Sequence, residues 1–203
     1  KKKRYLNAFD IFIRFNIKES IVKKIKSLSE KNIQDIMYGT SGFGLSTKDR
    51  PDKKGEYTML SSQGSGPVKA SRITQNKDLI NKWKLVTSKA SHDHGGQPDK
   101  HGKRKVLSKL EILKPGVVCT QTYFVVGAFD SKKLAEDLKV YLQTKFVRFL
   151  VAMTSYSQDI NKKKFLFVPN FIINRGLTEN EMHKKYALNK DEIEFIDKYI
   201  HPI

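Results

Sequence analysis

From Phe9 to Ile17 the apolar residues Phe9, Ile11, Ile13, Phe15 and Ile17 fall at alternate positions, with Asp10, Arg14 and Asn16 between them. A period of two puts one set of side chains on one face and predicts a half-buried strand. Ile21, Val22, Ile25 and Leu28 then recur at helical spacing among lysines, which predicts a helix of about three turns. From Gly39 to Pro67 Gly, Ser, Asp and Lys dominate, a loop-rich tract interrupted by a short strand at Tyr57 to Leu60. A short helix near Asp78 to Lys82 leads to a strand over Trp83 to Thr87, and a polar loop follows from Ser91 to Lys105. Strand character resumes over Val106 to Leu113 and Val117 to Phe129, the second apolar on both faces and so expected at the centre of its sheet.

Ser131 stands where it can cap a helix whose Leu134, Leu138, Tyr141, Leu142, Phe146, Phe149 and Met153 share one side at about 100° per residue. On that wheel Lys145 lies inside the apolar arc and Arg148 at its margin. Thr178-x-x-Glu181 and Asn189-x-x-Glu192 resemble capping boxes and predict two short terminal helices. The expected fold is therefore α+β, a mixed or antiparallel central sheet with one long packed helix and a small C-terminal helical segment. Residues 1–177 form the body of a single domain and 178–203 its helical appendage.

Charge sharpens this picture. Across 203 residues, 39 Lys and Arg stand against 21 Asp and Glu, a formal net charge of +18. The resulting positive field favours a polyanionic partner. Lys1 to Lys54 and Lys69 to Lys114 each carry +8 and Pro115 to Leu177 carries +5, whereas Thr178 to Ile203 carries −2, so the tail is a poor nucleic-acid surface. Cys119 is the sole cysteine, which excludes an intrachain disulfide and suits a reducing cytosol. No apolar run approaches the ~20 residues of a membrane span, and Lys1-Lys2-Lys3-Arg4 precedes no signal-peptide core. The expectation is a cytoplasmic protein with no membrane contact. Starting without an initiator Met, the chain reads as an excised domain or as an arbitrary boundary.

Several polar segments invite chemistry. The loop bearing His92, Asp93, His94 and His101 is open to three readings: a bland polar loop, a DNA-contacting loop, or a metal site built from imidazoles and a carboxylate. Gly39-Thr40-Ser41-Gly42-Phe43-Gly44 lacks the Lys-Ser/Thr of a phosphate-binding loop and reads as a turn. Lys48, Arg50, Lys53 and Lys54, and likewise Lys162-Lys163-Lys164, suit phosphate contacts or plain solvation. Pro98-Asp99 followed by Asp130-Ser131-Lys132 fits the letters of a Mg2+-dependent nuclease, although Asp130 also sits where a helix cap belongs.

Taken in order, Lys89-Ala90-Ser91 with His94-Gly95-Gly96 and Asp99-Lys100, then Thr120-Gln121-Thr122-Tyr123, Lys145-Phe146-Val147-Arg148-Phe149-Leu150, and Gln158 with Phe167-Val168-Pro169 resemble a known arrangement. It is the C-terminal target-recognition region of adenine-specific DNA methyltransferases of Type II restriction-modification systems, including those fused to an endonuclease. The resemblance covers roughly the second half of the chain. It implies that this region reads double-stranded DNA while an upstream domain of the same chain binds S-adenosylmethionine and transfers the methyl group. The Asn/Asp-Pro-Pro-Tyr/Phe signature of such catalytic domains is absent here, so no cofactor or catalytic residue is expected of this part, and Mg2+ enters only if the parent enzyme also cleaves. The phosphate contacts expected on this reading are Lys48, Arg50, Arg72, Lys103, Arg104, Lys162, Lys163 and Lys164. Bases would be read by polar side chains around Ser91, His92, Asp93 and His94 and by Gln158, Arg148 would support backbone binding, and Lys89 and Lys100 complete the expected DNA-binding set. The alternatives are a metal-dependent endonuclease domain using Asp99, Asp130 and Lys132, and a basic RNA-binding module.

Overall fold

A computed structural model of the chain describes residues 16–28, 31–40, 42–91, 97–155, 159–170 and 178–202. The strand expected from Phe9 lies, up to Phe15, outside them. Within the described residues the fold is α+β, with five α-helices and two three-stranded sheets. The expected central sheet is thus divided in two.

The first sheet joins β1 (Tyr57–Ser61), β2 (Gly64–Val68) and β5 (Val117–Cys119) in the order β2-β1-β5, antiparallel then parallel. The second joins β3 (Trp83–Ser88), β4 (Leu110–Leu113) and β6 (Tyr123–Phe129) in the order β4-β3-β6, antiparallel throughout. β5 and β6 correspond to the single strand expected over Val117 to Phe129. A turn divides them: Tyr123 N donates to Thr120 O at 3.0 Å, Thr120 N to Leu60 O and Gln121 N to Leu45 O. The chain thereby leaves one sheet and enters the other, and the continuous apolar run hid the crossing because both strands are buried. Neither half is central as expected: β5 and β6 are edge strands of their sheets, and among the described residues β6 meets at its outer edge only Tyr38 and Gly39, whose amides both bond Val125 O.

The alternation along β3 and β6 places the β4-β3-β6 sheet between two cores. Leu85, Phe124 and Val126 join the larger core with α1 (Asn16–Leu28), α2 (Lys132–Gln143), α3 (Lys145–Met153) and α5 (Lys190–Tyr199). Val86 and Val125 join the smaller core with Met59, Val68, Val118 and Phe43 from the other layer. Helices therefore cover one face and the second sheet the other. Gly127 lets α2 approach closely, because a Cβ there would lie 3.2 Å from Leu138 Cδ2 and 2.9 Å from Phe129 Cζ.

The expected long helix breaks at Thr144, which takes an extended conformation (φ −61°, ψ 147°). Its hydroxyl donates to Tyr141 O at 2.7 Å and accepts from Val147 N at 3.3 Å, serving the end of α2 and the start of α3 together. Glu179, at the start of α4 (Glu179–Lys185), adds its carboxylate to the Lys145 and Phe146 amides at 3.1 and 2.7 Å. Both expected capping boxes form, with Thr178 on Glu181 and Asn189 on Glu192.

Candidate nucleic-acid interface

β3 ends at Ser88, opposite Tyr123 of β6, and the pairing continues one residue further with Lys89 N donating to Thr122 O at 2.8 Å. On its other side Lys89 O accepts from Ile160 N at 2.7 Å, and Ala90 forms an antiparallel bridge with Asp159. Three stretches far apart in sequence are thus bonded to one another: Lys89–Ala90, Thr120–Thr122 and Asp159–Ile160. A fourth is attached through Gln121, whose amide bonds Leu45 O, the residue that opens the Ser46–Arg50 loop. Backbone groups do the joining.

What this rim presents is basic. Lys162 and Lys163 are exposed on the short 3-10 turn Lys162–Phe165, and Lys48 and Arg50 are exposed on their loop. Lys89 is 44% exposed and lies 3.6 Å from Asp159, itself 60% exposed, a pair too wet to hold the lysine firmly. Thr120 and Thr122 share a hydrogen bond at 3.0 Å just beneath, with Thr120 buried. His92, Asp93, His94 and Gln158 lie outside the described residues. Ser91, at 9% exposure, is the last described residue before that loop.

Other expected contacts take different positions. Arg72 bonds Asp49 at 2.7 Å, Asp52 at 3.1 Å and Arg50 O at 2.8 Å, which organises the Ser46–Arg50 loop. Burial raises the Asp49 carboxyl, but hydrogen bonds from Ser46 and Arg72 outweigh it and hold the group below its usual range. The Lys69 amide, followed by Arg72, does the same for Asp52, and Arg72 is raised in turn, chiefly by its bond to Asp49. Arg148 is 1% exposed, its guanidinium donating to Gln143 O at 3.0 Å and Lys105 O at 3.5 Å. Lys164 is 2% exposed, and desolvation lowers its pKa. Arg148 and Lys164 face the fold and Arg72, 27% exposed, is tied to its own loop, for a physical reason the sequence conceals. Each stands beside carbonyls, carboxylates or apolar side chains from distant segments.

Lys100, Lys103 and Arg104 belong to a second site. Asp99 accepts from the His101 and Lys103 amides at 2.8 and 3.0 Å, and the Lys103 amide is the main reason its carboxyl stays below the usual range. Arg104 lies over the Tyr199 ring at 4.3 Å and exchanges backbone hydrogen bonds with Tyr199 and His201. This loop is therefore docked on the C-terminal segment rather than on the Lys89 rim. Asp130 pairs with Lys82 at 2.9 Å, so the two carboxylates of the nuclease pattern engage different partners. Among the described residues no group of three or more His, Cys, Asp or Glu side chains gathers as a metal site, and no helix is long and apolar enough to cross a membrane.

Sequence reasoning missed a cleft of about 510 Å³ between the 105–110 segment and the α2–α3 junction, with Lys105, Lys109 and Lys139 on its walls. The one legible signal is the i, i+4 spacing of Lys139 and Gln143, which puts both on one face of α2.

Compared with known proteins, the chain matches no family model, and no curated protein matches it.

Proposed function

We propose that this chain is a double-stranded DNA target-recognition module of an adenine N6 methyltransferase or restriction-modification enzyme, with chemistry carried by an upstream domain. S-adenosylmethionine would belong to that domain, and Mg2+ to the parent only if it also cleaves. The observation that carries the reading is the convergence at Lys89: two segments that carry the resemblance, Lys89–Ala90 and Thr120–Thr122, are bonded edge to edge, and Asp159 and Ile160, which follow Gln158 in the chain, bond Ala90 and Lys89. Exposed Lys162 and Lys163 flank that junction, with Lys48 and Arg50 on an attached loop. Cations on such a rim meet phosphates and fix register, while the polar loop that starts at Ser91 supplies groups for base edges.

Duplex binding measured by fluorescence anisotropy between about 50 and 200 mM salt tests it. The expected result is an affinity that falls linearly on logarithmic axes, with a slope of about −0.9 per phosphate neutralised. A salt-independent isotherm, or stronger binding to A-form RNA than to DNA, overturns the reading, since the narrow RNA major groove denies side chains that readout.

A further inference from the structure

The cleft beside the α2–α3 junction has a composition that points to a ligand of its own. Leu107, Leu110 and Leu142 form its apolar part, and Lys105, Lys109 and Lys139 stand around it. Among the described residues no carboxylate lines it. Lys109 reaches Glu111 at 3.3 Å while remaining 80% exposed, and His201 on the rim lies 4.0 Å from Asp99. Lys139 has no ion-pair or hydrogen-bond partner among the described residues, and neither has the Gln143 carboxamide. Lysines gathered around one cleft, with Lys139 unpaired among the described residues, stabilise an anion there. Leucines favour a flat apolar body, and a carboxamide offers one acceptor and two donors to the polar edge of that body.

Arg148 holds the cleft open. Its guanidinium joins Gln143 O on the helical wall to Lys105 O on the opposite wall, so the shape is built into the fold. Cavities of a few hundred cubic ångströms take ligands well beyond the size of a bare phosphate. An alkyl chain would leave the Gln143 carboxamide desolvated and unpaired, which disfavours it as the occupant.

We infer that this cleft binds a single nucleotide unit, its phosphate against Lys139 and its neighbouring lysines and its base over the leucines with an edge on Gln143. The chemistry is shared by a free mononucleotide and by a nucleotide of a single strand. The inference goes beyond the DNA reading and does not depend on it, although Ser108 of the cleft bonds Ala90 O at 2.7 Å and so links the two sites.

Amide NMR titration of the whole chain with 5′-AMP, adenosine and inorganic phosphate tests this. AMP is expected to shift the amides of Leu107, Ser108, Leu110, Leu142 and Gln143, with adenosine and phosphate each at least about tenfold weaker. Lys139→Glu, on an accessible helix face, is expected to weaken AMP about tenfold, and Gln143→Leu to weaken AMP while sparing phosphate. A short single-stranded oligonucleotide that competes with AMP identifies the strand as the source, and one that does not compete leaves the free nucleotide. Phosphate alone shifting the same amides as strongly as AMP, no shift with AMP, or an unchanged AMP response in Lys139→Glu overturns the proposal. Duplex binding by Lys139→Glu keeps the two failures apart, because the DNA reading predicts that its salt dependence persists.

Discussion

The interior around Lys84 and Arg148 and the rim bearing Lys162 and Lys163 are built from the same kinds of side chain to opposite ends. Lys84 is fully buried in β3, its ammonium donating to Leu79 O and Ile80 O at 3.1 and 2.8 Å. Arg148 likewise bonds backbone carbonyls across the α2–α3 junction. There the cations do the joining. At the rim the joining is done by backbone pairs at Lys89, Thr122 and Ile160, and the lysines project into solvent. Positive charge in a sequence thus serves either the fold or a partner, and the carbonyls available around it decide which.

The largest effect that would sharpen this contrast comes from Lys84. Burial pushes its pKa down from the usual 10.5 to about 8. Between those values the unfolded chain holds a proton the folded chain has released, so stability rises with pH through that window and is level on either side. The expected gain is on the order of 3 kcal/mol, at about 1.4 kcal/mol per pH unit. Denaturant unfolding from pH 7.5 to 10.5 measures it against Lys84→Met, in which the rise should vanish.

Arg148→Met removes a buried, charge-assisted brace and should destabilise by about 2–3 kcal/mol, leaving the salt dependence of DNA binding unchanged. If the salt slope instead drops by about one, the arginine meets a phosphate after all and the contrast breaks. Glu179→Ala strips the remote cap from α3 and should cost about 1 kcal/mol in thermal or urea unfolding, with α4 losing hydrogen-exchange protection first. The smallest effect belongs to the rim: Lys162→Glu with Lys163→Glu should move stability by no more than about 0.5 kcal/mol.

Much of this fold was legible from periodicity. The α1 stripe, β1, β3 and both capping boxes appear where the apolar spacing and cap residues place them. Two features were not. Val117 to Phe129 reads as one strand because both halves are buried, and only the Thr120 turn, fixed by Leu60 and Leu45 from elsewhere, moves it between sheets. Leu134 to Met153 keeps one helical phase across Thr144, so the break depends on Glu179, 35 residues further on. β2, Gly64–Val68, carries Gly and Pro and has no strand pattern; pairing with β1 makes it one. The candidate site divides in the same way. Lys48, Arg50, Lys162 and Lys163 are where charge runs in loops would put them, whereas Arg72, Arg148 and Lys164 are held by acceptors and apolar neighbours that no local pattern reveals.

The most direct test of the central claim is the salt dependence of duplex binding by the chain and by its Lys162→Glu, Lys163→Glu variant. The account predicts a steep linear decline for the chain and a slope smaller by about two for the variant, with its melting temperature retained. Identical slopes for the two proteins, or affinity indifferent to salt in both, would contradict it.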